Sequence, residues 1–416
     1  MRTRAFRTFV TAALAVGLVG AFSAPAGAKT PPKSQGFDGK TITLGVITPT
    51  TGIVSVIGRP LTAGNELWWK YYNEEKGGIA GKYKVELSEE DSQYKPEVAV
   101  QAYDKLKGDV AAFQQILGTQ ISKALLPKLQ ADKLGGNPAT LDALWVHVPN
   151  LFPIGAPYQV EAINALDYFV KQNGKSKKIC ALAQDDEFGT AGLEGFDAAR
   201  KVLKFKTGPK PKFSTGLDVT AQVQQLSDAK CDAVLVVATA ADASAIMTKS
   251  VALDFNPQMI ALAPFWLPAL AKSTQLQQYL VDHLWLSAEQ LIAWGDTSVP
   301  GMQDFLTRQQ KFAPDQTPDP YFIFGYAQGE AMAQILERAA KDGDLSPEGI
   351  VKAATKVKKL TFGGLTGDYK YGNPAGRNPP RTTALFKVDP SSPVGLTLLD
   401  PALESKAAKQ YKIATG

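Results

Sequence analysis

The fold of this chain is decided by residues 42–91, which read ITLGVITPTTGIVSVIGRPLTAGNELWWKYYNEEKGGIAGKYKVELSEED. Residues 42–49 form an apolar, β-branched run that is typical of a strand buried on both faces. A glycine-containing loop leads into apolar residues at helical spacing, and Gly77 and Gly78 end the helix. A second strand is predicted at residues 83–87. This unit predicts a parallel sheet, and parallel sheets bind ligands where their strands end.

The chain begins with the features of an export signal. Three arginines precede an apolar run at residues 9–22, and an A-x-A cleavage motif ends at Ala28. We therefore expect a signal peptide over residues 1–28 and a flexible leader over residues 29–40. No cysteine follows the cleavage motif, so no lipid anchor is expected, and no later apolar run is long enough to span a membrane. The mature protein is expected in the periplasm, at the cell surface or in the extracellular space.

Charge and length narrow the class of protein. The 45 basic and 40 acidic side chains give a formal net charge of +5, and three of the arginines lie in the predicted signal peptide. The exported part is therefore nearly neutral. This argues against nucleic acid as a partner, because nucleic-acid-binding proteins carry a basic face. The remaining length is that of two domains of ordinary size.

The sequence lacks the common motifs of catalysis and cofactor binding. It contains no G-x-S-x-G, G-x-G-x-x-G, P-loop or H-E-x-x-H motif. His147 and His283 lie in apolar surroundings without a nucleophile motif, so we interpret both as structural. The acidic residues at 89–91 and 185–186 are interpreted as solvated strand ends and hinge groups. We therefore expect no catalytic residues, cofactor or metal, and a secreted α/β hydrolase is the less favoured alternative.

Two cysteines, Cys180 and Cys231, remain in a protein with an oxidising destination. Both stand at the starts of apolar runs, KKICALAQ and KCDAVLVVA, which predict neighbouring parallel strands. Neither has a second cysteine or a histidine nearby, which argues against metal binding. The sequence leaves open whether they form a disulfide or remain buried free thiols.

The alternation of strands and helices continues in two successive runs along the chain. After residues 151–158 the pattern starts again, which indicates a second α/β unit. Further amphipathic helices predict that the chain crosses back near residues 286–292. Glycine-rich, strand-like residues at 362–371 predict a last crossing.

The order of these motifs resembles that of the periplasmic leucine/isoleucine/valine-binding proteins, which are substrate-binding components of ABC importers. The resemblance covers nearly the whole mature chain, and each motif is weak alone. The residues that carry it are Thr51-Gly52, Asn73, Gly77-Gly78-Ile79, Gly81, Asp91, Pro96, the turn Asp185-Asp186-Glu187-Phe188-Gly189, and residues 362–372.

The resemblance implies an α/β fold of two Rossmann-like lobes, the type I periplasmic binding protein fold, joined by three crossover strands. It places residues 41–152 and 292–360 in lobe 1, and residues 153–291 and 361–416 in lobe 2. The implied function is that of an exported, monomeric solute-binding protein that delivers a small-molecule ligand to an ABC permease in the membrane. The same fold also serves as an extracellular ligand sensor, and the sequence does not separate these two roles.

The resemblance also implies residues that bind a ligand carboxylate. The family's binding serine falls on Ser122, with Thr119 and Gln120 in the same loop. Ser122 is also predicted at a helix N-terminus, where unpaired amides favour an anion; simple helix capping is the alternative. The family's second carboxylate-binding turn falls on Ala139 and Thr140.

Four further residues are placed at the ligand by the resemblance. Phe188 stands where the family has a tyrosine, Tyr321 at an aromatic position that covers the ligand, and Ile57 at the aromatic position of the first loop. Each aromatic has a core role as its alternative. Arg59 is a candidate for meeting an anion, with a solvated rim position as the alternative.

One departure from the family concerns the ammonium group of an amino acid. Amino-acid binders carry an acidic residue just after the strand at residues 259–263, where this chain has Phe265 and Trp266. A buried ammonium without a counter-charge is unfavourable. Unless Asp185 or Glu187 substitutes, we expect a carboxylate or amide with an apolar or aromatic body and no obligatory ammonium. A branched-chain amino acid is the alternative.

The expected mechanism is non-catalytic. The ligand binds first to lobe 1 through Ser122, and lobe 2 then closes by hinge motion at the crossovers. Closure is driven only by contacts that exist in the closed state alone. We expect Phe188, Phe265 and Trp266 of lobe 2 to supply them.

Overall fold

The computed structural model describes residues 30–414 and divides them between two α/β lobes. The predicted signal peptide lies outside this range. Within it, the strands form a four-stranded sheet, an eight-stranded sheet and a two-stranded hairpin. No helix in this range is both long and apolar enough to cross a membrane. The predicted α/β fold with two Rossmann-like lobes is confirmed.

Lobe 1 is built on a parallel sheet with the strand order β2-β1-β3-β4. Strand β1 is buried on both faces, as the sequence predicts: Ile42 and Leu44 enter one apolar core and Ile47 enters another. The elements are, in chain order, β1 (Thr41–Thr48), α1 (Ser55–Glu75), β2 (Lys84–Asp91), α2 (Pro96–Leu106), β3 (Ala112–Leu117), α3 (Thr119–Ala131) and β4 (Gly136–Ala139).

Lobe 2 repeats this arrangement with a larger sheet. In β5, Cys180 and Leu182 pack into one core while Ala181 and Ala183 pack into the other, which is the alternation of a strand covered on both faces. The elements are α4 (Tyr158–Asn173), β5 (Lys178–Gln184), α5 (Glu187–Leu203), β6 (Lys206–Thr207), β7 (Lys212–Phe213), α6 (Thr220–Asp228), β8 (Ala233–Val237), α7 (Ala240–Ala252), β9 (Gln258–Leu262), α8 (Gln277–His283) and β10 (Leu284–Ala288).

The chain then returns to lobe 1 and afterwards completes lobe 2. The returning elements are α9 (Pro300–Phe312), α10 (Pro320–Asp342), α11 (Pro347–Ala354), β11 (Lys359–Leu360) and β12 (Tyr369–Lys370). Lobe 2 is completed by β13 (Thr383–Val388), β14 (Leu396–Leu403) and α12 (Lys406–Gln410). Strand β13 pairs antiparallel with β10, and β14 pairs antiparallel with β13.

Two glycines allow the long helices α1 and α10 of lobe 1 to pack at close distance. A Cβ atom on Gly64 would lie 2.2 Å from the Phe322 carbonyl oxygen, and one on Gly325 would lie 1.9 Å from the Leu61 carbonyl oxygen. Any larger residue at either position would therefore force the helices apart. This packing fixes the N-terminal turns of both helices, which face lobe 2.

Two crossings between the lobes lie near residues 152–156 and 288–292. Phe152 packs in a lobe 1 core and Ala156 in a lobe 2 core. Ala288 packs in lobe 2 and Ile292 in lobe 1. The chain therefore changes lobe within a few residues at each crossing.

The third crossing lies later than predicted. Phe362, Tyr369 and Tyr371 pack in the lobe 1 core, and the chain joins the lobe 2 sheet only at Thr383. The predicted boundary at residue 360 is corrected because the hairpin β11–β12 buries its aromatic side chains against lobe 1. The chain crosses to lobe 2 after this hairpin.

Part of the predicted flexible leader is anchored to lobe 1. Phe37 is 2% exposed, and its ring packs edge-on against Tyr83 with 5.1 Å between centroids. The Gln35 side-chain amide donates to the Lys107 carbonyl at 2.7 Å. These contacts hold the segment before β1 against the sheet.

Cys180 and Cys231 form a disulfide within lobe 2, which settles the alternative left open by the sequence. Their strands β5 and β8 are parallel neighbours, as predicted. The bond closes a loop with a sequence separation of 51 residues, and loops of this size gain about 4 kcal/mol in the chain-entropy description. The disulfide stabilises lobe 2 rather than the connection between the lobes.

Candidate functional site

A cavity lies between the lobes, where the carboxyl ends of the strands of both sheets face each other. The space between its wall residues measures about 940 Å³ when open solvent is counted, and the centre of a water molecule can occupy about 90 Å³ of it. Residues after β3 and β4 form the lobe 1 side, and residues after β5, β8, β9 and β10 form the lobe 2 side. This is the edge at which parallel α/β sheets bind ligands.

The cavity wall is mainly apolar. Ile57 and Leu61 enter it from α1, Phe188 from α5 and Phe324 from α10. The wall residues that the structure describes include no lysine or arginine, and Glu289 is the one carboxyl among them. The cavity therefore suits a largely apolar molecule.

One end of the cavity carries hydroxyl and amide groups from lobe 1. The Oγ1 atoms of Thr119 and Thr140 lie 2.6 Å apart and share a hydrogen bond. Thr119 is the first residue of α3, whose initial N–H groups have no partner within the helix. Helix N-termini attract anions through these groups and the helix dipole. This end is suited to a carboxylate or a carbonyl oxygen.

A buried pair of acids, Glu289 and Glu161, accompanies the wall. Glu161 Oε2 accepts a hydrogen bond from the Ala263 amide at 3.3 Å. Within residues 30–414, Glu161 Oε1 and Glu289 Oε2 have no hydrogen-bond partner. Burial raises the pKa of Glu289 to about 7; burial and the Glu289 carboxyl raise the pKa of Glu161 well above its usual range. Two like charges cannot both persist in such surroundings, so the pair holds a proton at neutral pH.

Tyr321 connects the two lobes across the cavity. It lies at the start of α10 in lobe 1, and its hydroxyl is 2.9 Å from the carbonyl oxygens of both Pro264 and Trp266 in lobe 2. An exposed ion pair between Lys123 and Glu187, at 3.2 Å, also crosses the cleft. These contacts hold the two lobes together across the cavity.

The structure brings part of the predicted set of ligand-binding residues together in the cavity wall. These residues are Ile57, Thr119, Ala139, Thr140, Phe188 and Tyr321. The Phe188 ring packs edge-on against Tyr158 with 4.8 Å between centroids. Phe188 is thus both a wall of the cavity and a part of the lobe 2 core.

Three predicted residues of lobe 1 lie outside the wall. Ser122 is fully buried, and its hydroxyl donates to the Ile116 carbonyl at 3.3 Å. Because α3 already begins at Thr119, Ser122 lies within the first turn and faces the preceding strand. Gln120 is half-buried, and Arg59 is exposed with its Nε donating to the Thr50 carbonyl at 2.9 Å. Arg59 is a rim residue, the alternative that the sequence left open.

Phe265 and Trp266 are also absent from the wall, which corrects the prediction that their rings contact the ligand. Both are fully buried in the lobe 2 core. The Trp266 indole Nε1 donates to the Val394 carbonyl at 2.8 Å. A short 3₁₀ turn after β9 directs these rings inward, so that the backbone carbonyls rather than the rings face Tyr321.

Several wall residues were missed by sequence reasoning. Glu289 follows directly after β10, and its position after a predicted crossover strand could have indicated that it lies at the cavity. Tyr158, at the start of α4, follows the first crossover in the same way. Leu286, Phe386 and Leu396 carry no signal of this kind, because an apolar residue in a strand has the same pattern whether it faces a cavity or a core.

Asp185 and Glu187 do not substitute for the missing acid of amino-acid binders. Asp185 pairs with Lys212 at 3.1 Å, and Glu187 pairs with Lys123 at 3.2 Å. Neither residue lies in the cavity wall. Their charges are neutralised outside the site.

Comparison with known proteins places the chain in a family. The family description "Periplasmic binding protein" matches residues 41–393. No curated protein shows significant sequence similarity to the chain.

Solved structures with the same fold cover nearly the whole chain. A fatty acid ABC transporter substrate-binding protein from Thermomonospora curvata has a TM-score of 0.84 at 22% identity, covering 92% of this chain and 97% of its own. A branched-chain amino acid ABC transporter protein from Thermus thermophilus with bound valine has a TM-score of 0.74 at 16% identity, covering 91% and 99%. A possible leucine/isoleucine/valine-binding protein from Rhodopirellula baltica has a TM-score of 0.72 at 18% identity, covering 91% and 98%. At these identities, the likeness concerns the fold.

Proposed function

The chain belongs to the periplasmic binding protein family, and on this basis we propose that it is the exported solute-binding protein of an ABC importer. Its ligand has a carboxylate or amide group and an apolar or aromatic body, without an obligatory ammonium. The cleft closes around the ligand by hinge motion at the crossovers. The closed monomer then docks on a membrane permease, without a catalytic step.

The observation that carries this proposal is the composition of the cavity wall. One end presents the hydroxyls of Thr119 and Thr140 and the N-terminus of α3. The remaining surface is formed mainly by aliphatic and aromatic side chains. A ligand that matches both parts has one polar group able to accept hydrogen bonds and an apolar remainder.

The charges around the cavity disfavour a ligand ammonium group. Asp185 and Glu187 are paired with lysines outside the wall. Glu289 lies in the wall, but burial raises its pKa to about 7, so it is only partly ionised at neutral pH and is neutral in mildly acidic solution. A neutral carboxylic acid donates a hydrogen bond to a ligand oxygen and provides no counter-charge for an ammonium.

The names of the structural neighbours are compatible with either class of ligand. The Thermomonospora protein is named for fatty acids, which have a carboxylate and no ammonium, whereas the Thermus protein contains valine. The apolar wall and the neutralised acids of this chain favour the first of these chemistries. We therefore retain the carboxylate or amide as the proposed polar group.

A panel of three ligands that share a linear six-carbon body and differ in the polar group, together with an aromatic acid and an amino acid, tests the proposal. Hexanoate, hexanamide, hexylamine, phenylacetate and leucine would be compared by thermal shift and calorimetry, since binding raises the melting temperature by mass action. We expect hexanoate or hexanamide to bind more tightly than hexylamine and leucine. Tight binding of leucine with no response to the acids and amides would contradict the proposal.

Replacing Thr140 by valine is expected to weaken ligand binding about fivefold. Valine has the same shape but removes one hydroxyl from the polar end, and a hydrogen bond contributes about 1 kcal/mol. Calorimetry of Thr140→Val with the tightest ligand of the panel would measure the change. Ser122→Ala is the matched control, because the Ser122 hydroxyl is buried one turn away and bonds to the Ile116 carbonyl. If Ser122→Ala loses more ligand affinity than Thr140→Val, Ser122 rather than Thr140 contacts the ligand.

A further inference from the structure

The cavity continues beyond the cleft into lobe 2. Leu286 and Ala288 lie on the same face of β10, and Phe386 lies directly opposite Leu286 on β13. Leu396, the first residue of β14, is the next wall residue in this direction. The cavity therefore extends along three neighbouring strands, away from the polar end in lobe 1.

This extension sets a minimum length for a ligand that fills the cavity. Neighbouring strands lie about 4.8 Å apart, so the step from β10 to β14 covers roughly 10 Å. Thr119 and Thr140 lie further away, on the opposite lobe. A molecule that contacts both ends is therefore longer than leucine, valine or any other amino acid with a short aliphatic side chain.

The chemistry of the extension is uniform. Its side chains are Leu286, Ala288, Phe386, Val394 and Leu396, with Trp294 beside them. These side chains offer neither a charge nor a hydroxyl. An apolar space of this kind is suited to hydrocarbon.

We propose that this extension is a tail compartment and that the ligand is a monocarboxylic acid with a long, extended hydrocarbon chain. The carboxylate lies at Thr119 and Thr140, and the chain runs past Glu289 to Leu396. This inference rests on the proposed function, because it assumes a carboxylate at the polar end. It adds the length of the ligand and the residues that select it.

The proposal predicts how affinity depends on chain length. Each methylene group transferred from water to the apolar compartment is expected to increase affinity about fourfold. The increase continues until the chain reaches Leu396 and then stops. A site for a short acid would show no such increase beyond a few carbon atoms.

The experiment is a chain-length series of linear saturated carboxylates from butanoate to hexadecanoate. Each is used below its micelle concentration, and affinity is measured by calorimetry on the purified protein. We expect affinity to rise steadily with length and to level off at a long chain. Binding that peaks at four to six carbons would overturn the tail compartment and leave the proposed function standing. Absence of binding at every length would overturn the tail compartment as well, and it would overturn the proposed function only if hexanamide and phenylacetate also fail to bind.

Leu286→Trp is the blocking variant, because the larger ring fills the start of the compartment. We expect it to reduce affinity for the long acids at least tenfold while affinity for butanoate stays unchanged. Leu399→Trp, a matched change on β14 that packs on the other core of lobe 2 and lies outside the wall, is expected to behave like the wild type. Ala288→Phe blocks the same space from a neighbouring position on β10. It replaces Leu286→Trp in the experiment if that variant does not fold. Equal long-chain affinity in wild type and in a folded blocking variant would overturn the proposal.

Discussion

Replacing Glu289 by glutamine is expected to change the free energy of unfolding more favourably at pH 8 than at pH 4. The difference between the two pH values is expected to be about 3 kcal/mol. Burial raises the pKa of Glu289 from 4.5 to about 7 in the folded protein. Ionising this carboxyl above pH 7 therefore weakens the folded state. Glutamine has nearly the same shape and does not ionise, so it removes this penalty.

The direction follows from proton binding. Between pH 4.5 and pH 7 the folded protein binds a proton at Glu289 that the unfolded chain has already lost. The contribution of this group to the free energy of unfolding is therefore fully present below pH 4.5 and is lost as the pH rises to about 7. Glu161, Tyr158 and Tyr321 lie in the same electrostatic neighbourhood. When both carboxyls ionise, Glu161 and Glu289 repel each other. This repulsion also lowers the stability of the folded protein as the pH rises.

The measurement is the difference in the free energy of unfolding between Glu289→Gln and wild type, from urea titrations at several pH values. Asp319 and Glu330 are also buried acids with raised pKa values, of about 7 and about 8. Their effects are present in both proteins and cancel in the difference. Glu86→Gln is the matched control, because Glu86 is exposed on β2. A difference that stays constant from pH 4 to pH 8 would show that Glu289 is not held in a buried, proton-binding environment.

Most of the fold could be predicted because its signals are local. The apolar run that begins at Ile42 forms the buried strand β1, and Gly77 and Gly78 both have positive φ angles where α1 has ended. The third crossing was misplaced because nothing in residues 362–371 indicates which lobe buries its aromatics. That choice depends on packing between segments far apart in sequence, here the hairpin and the helices of lobe 1.

The site was predicted in part for the same physical reason. Thr119, Ala139 and Thr140 lie at or just after the carboxyl ends of strands, and such a strand end lies at the cleft in a parallel sheet of this kind. Ser122 failed because the helix begins three residues earlier than the sequence indicates. Phe265 and Trp266 failed because a 3₁₀ turn reverses the direction of their side chains. Local backbone geometry of this kind has no distinctive sequence pattern.

These corrections change which contacts are available to drive closure. The sequence assigned this role to the rings of Phe188, Phe265 and Trp266. The rings of Phe265 and Trp266 are buried within the core of lobe 2 rather than at the cleft. Besides the exposed ion pair between Lys123 and Glu187, the lobes are joined by the bond between the Tyr321 hydroxyl and the backbone of residues 264–266. In the proposed hinge mechanism, Tyr321 is therefore a residue at which the closed state gains energy that the open state lacks.

Tyr321→Phe is expected to weaken ligand binding about tenfold to thirtyfold, which corresponds to about 1.4–2 kcal/mol. The variant keeps the ring in the wall and leaves the Pro264 and Trp266 carbonyls without their donor in the closed state, where an unsatisfied buried group costs about 1–3 kcal/mol. Because the bond exists only after closure, the change should appear in the dissociation rate while the association rate stays nearly constant. Stopped-flow measurement with the tightest ligand would separate the two rates.

Tyr72→Phe is the matched control, since the Tyr72 hydroxyl bonds to Glu337 at 2.9 Å within lobe 1. This variant should change stability and leave affinity unaltered. If both variants bind with wild-type affinity, closure must draw its energy from the ligand contacts themselves.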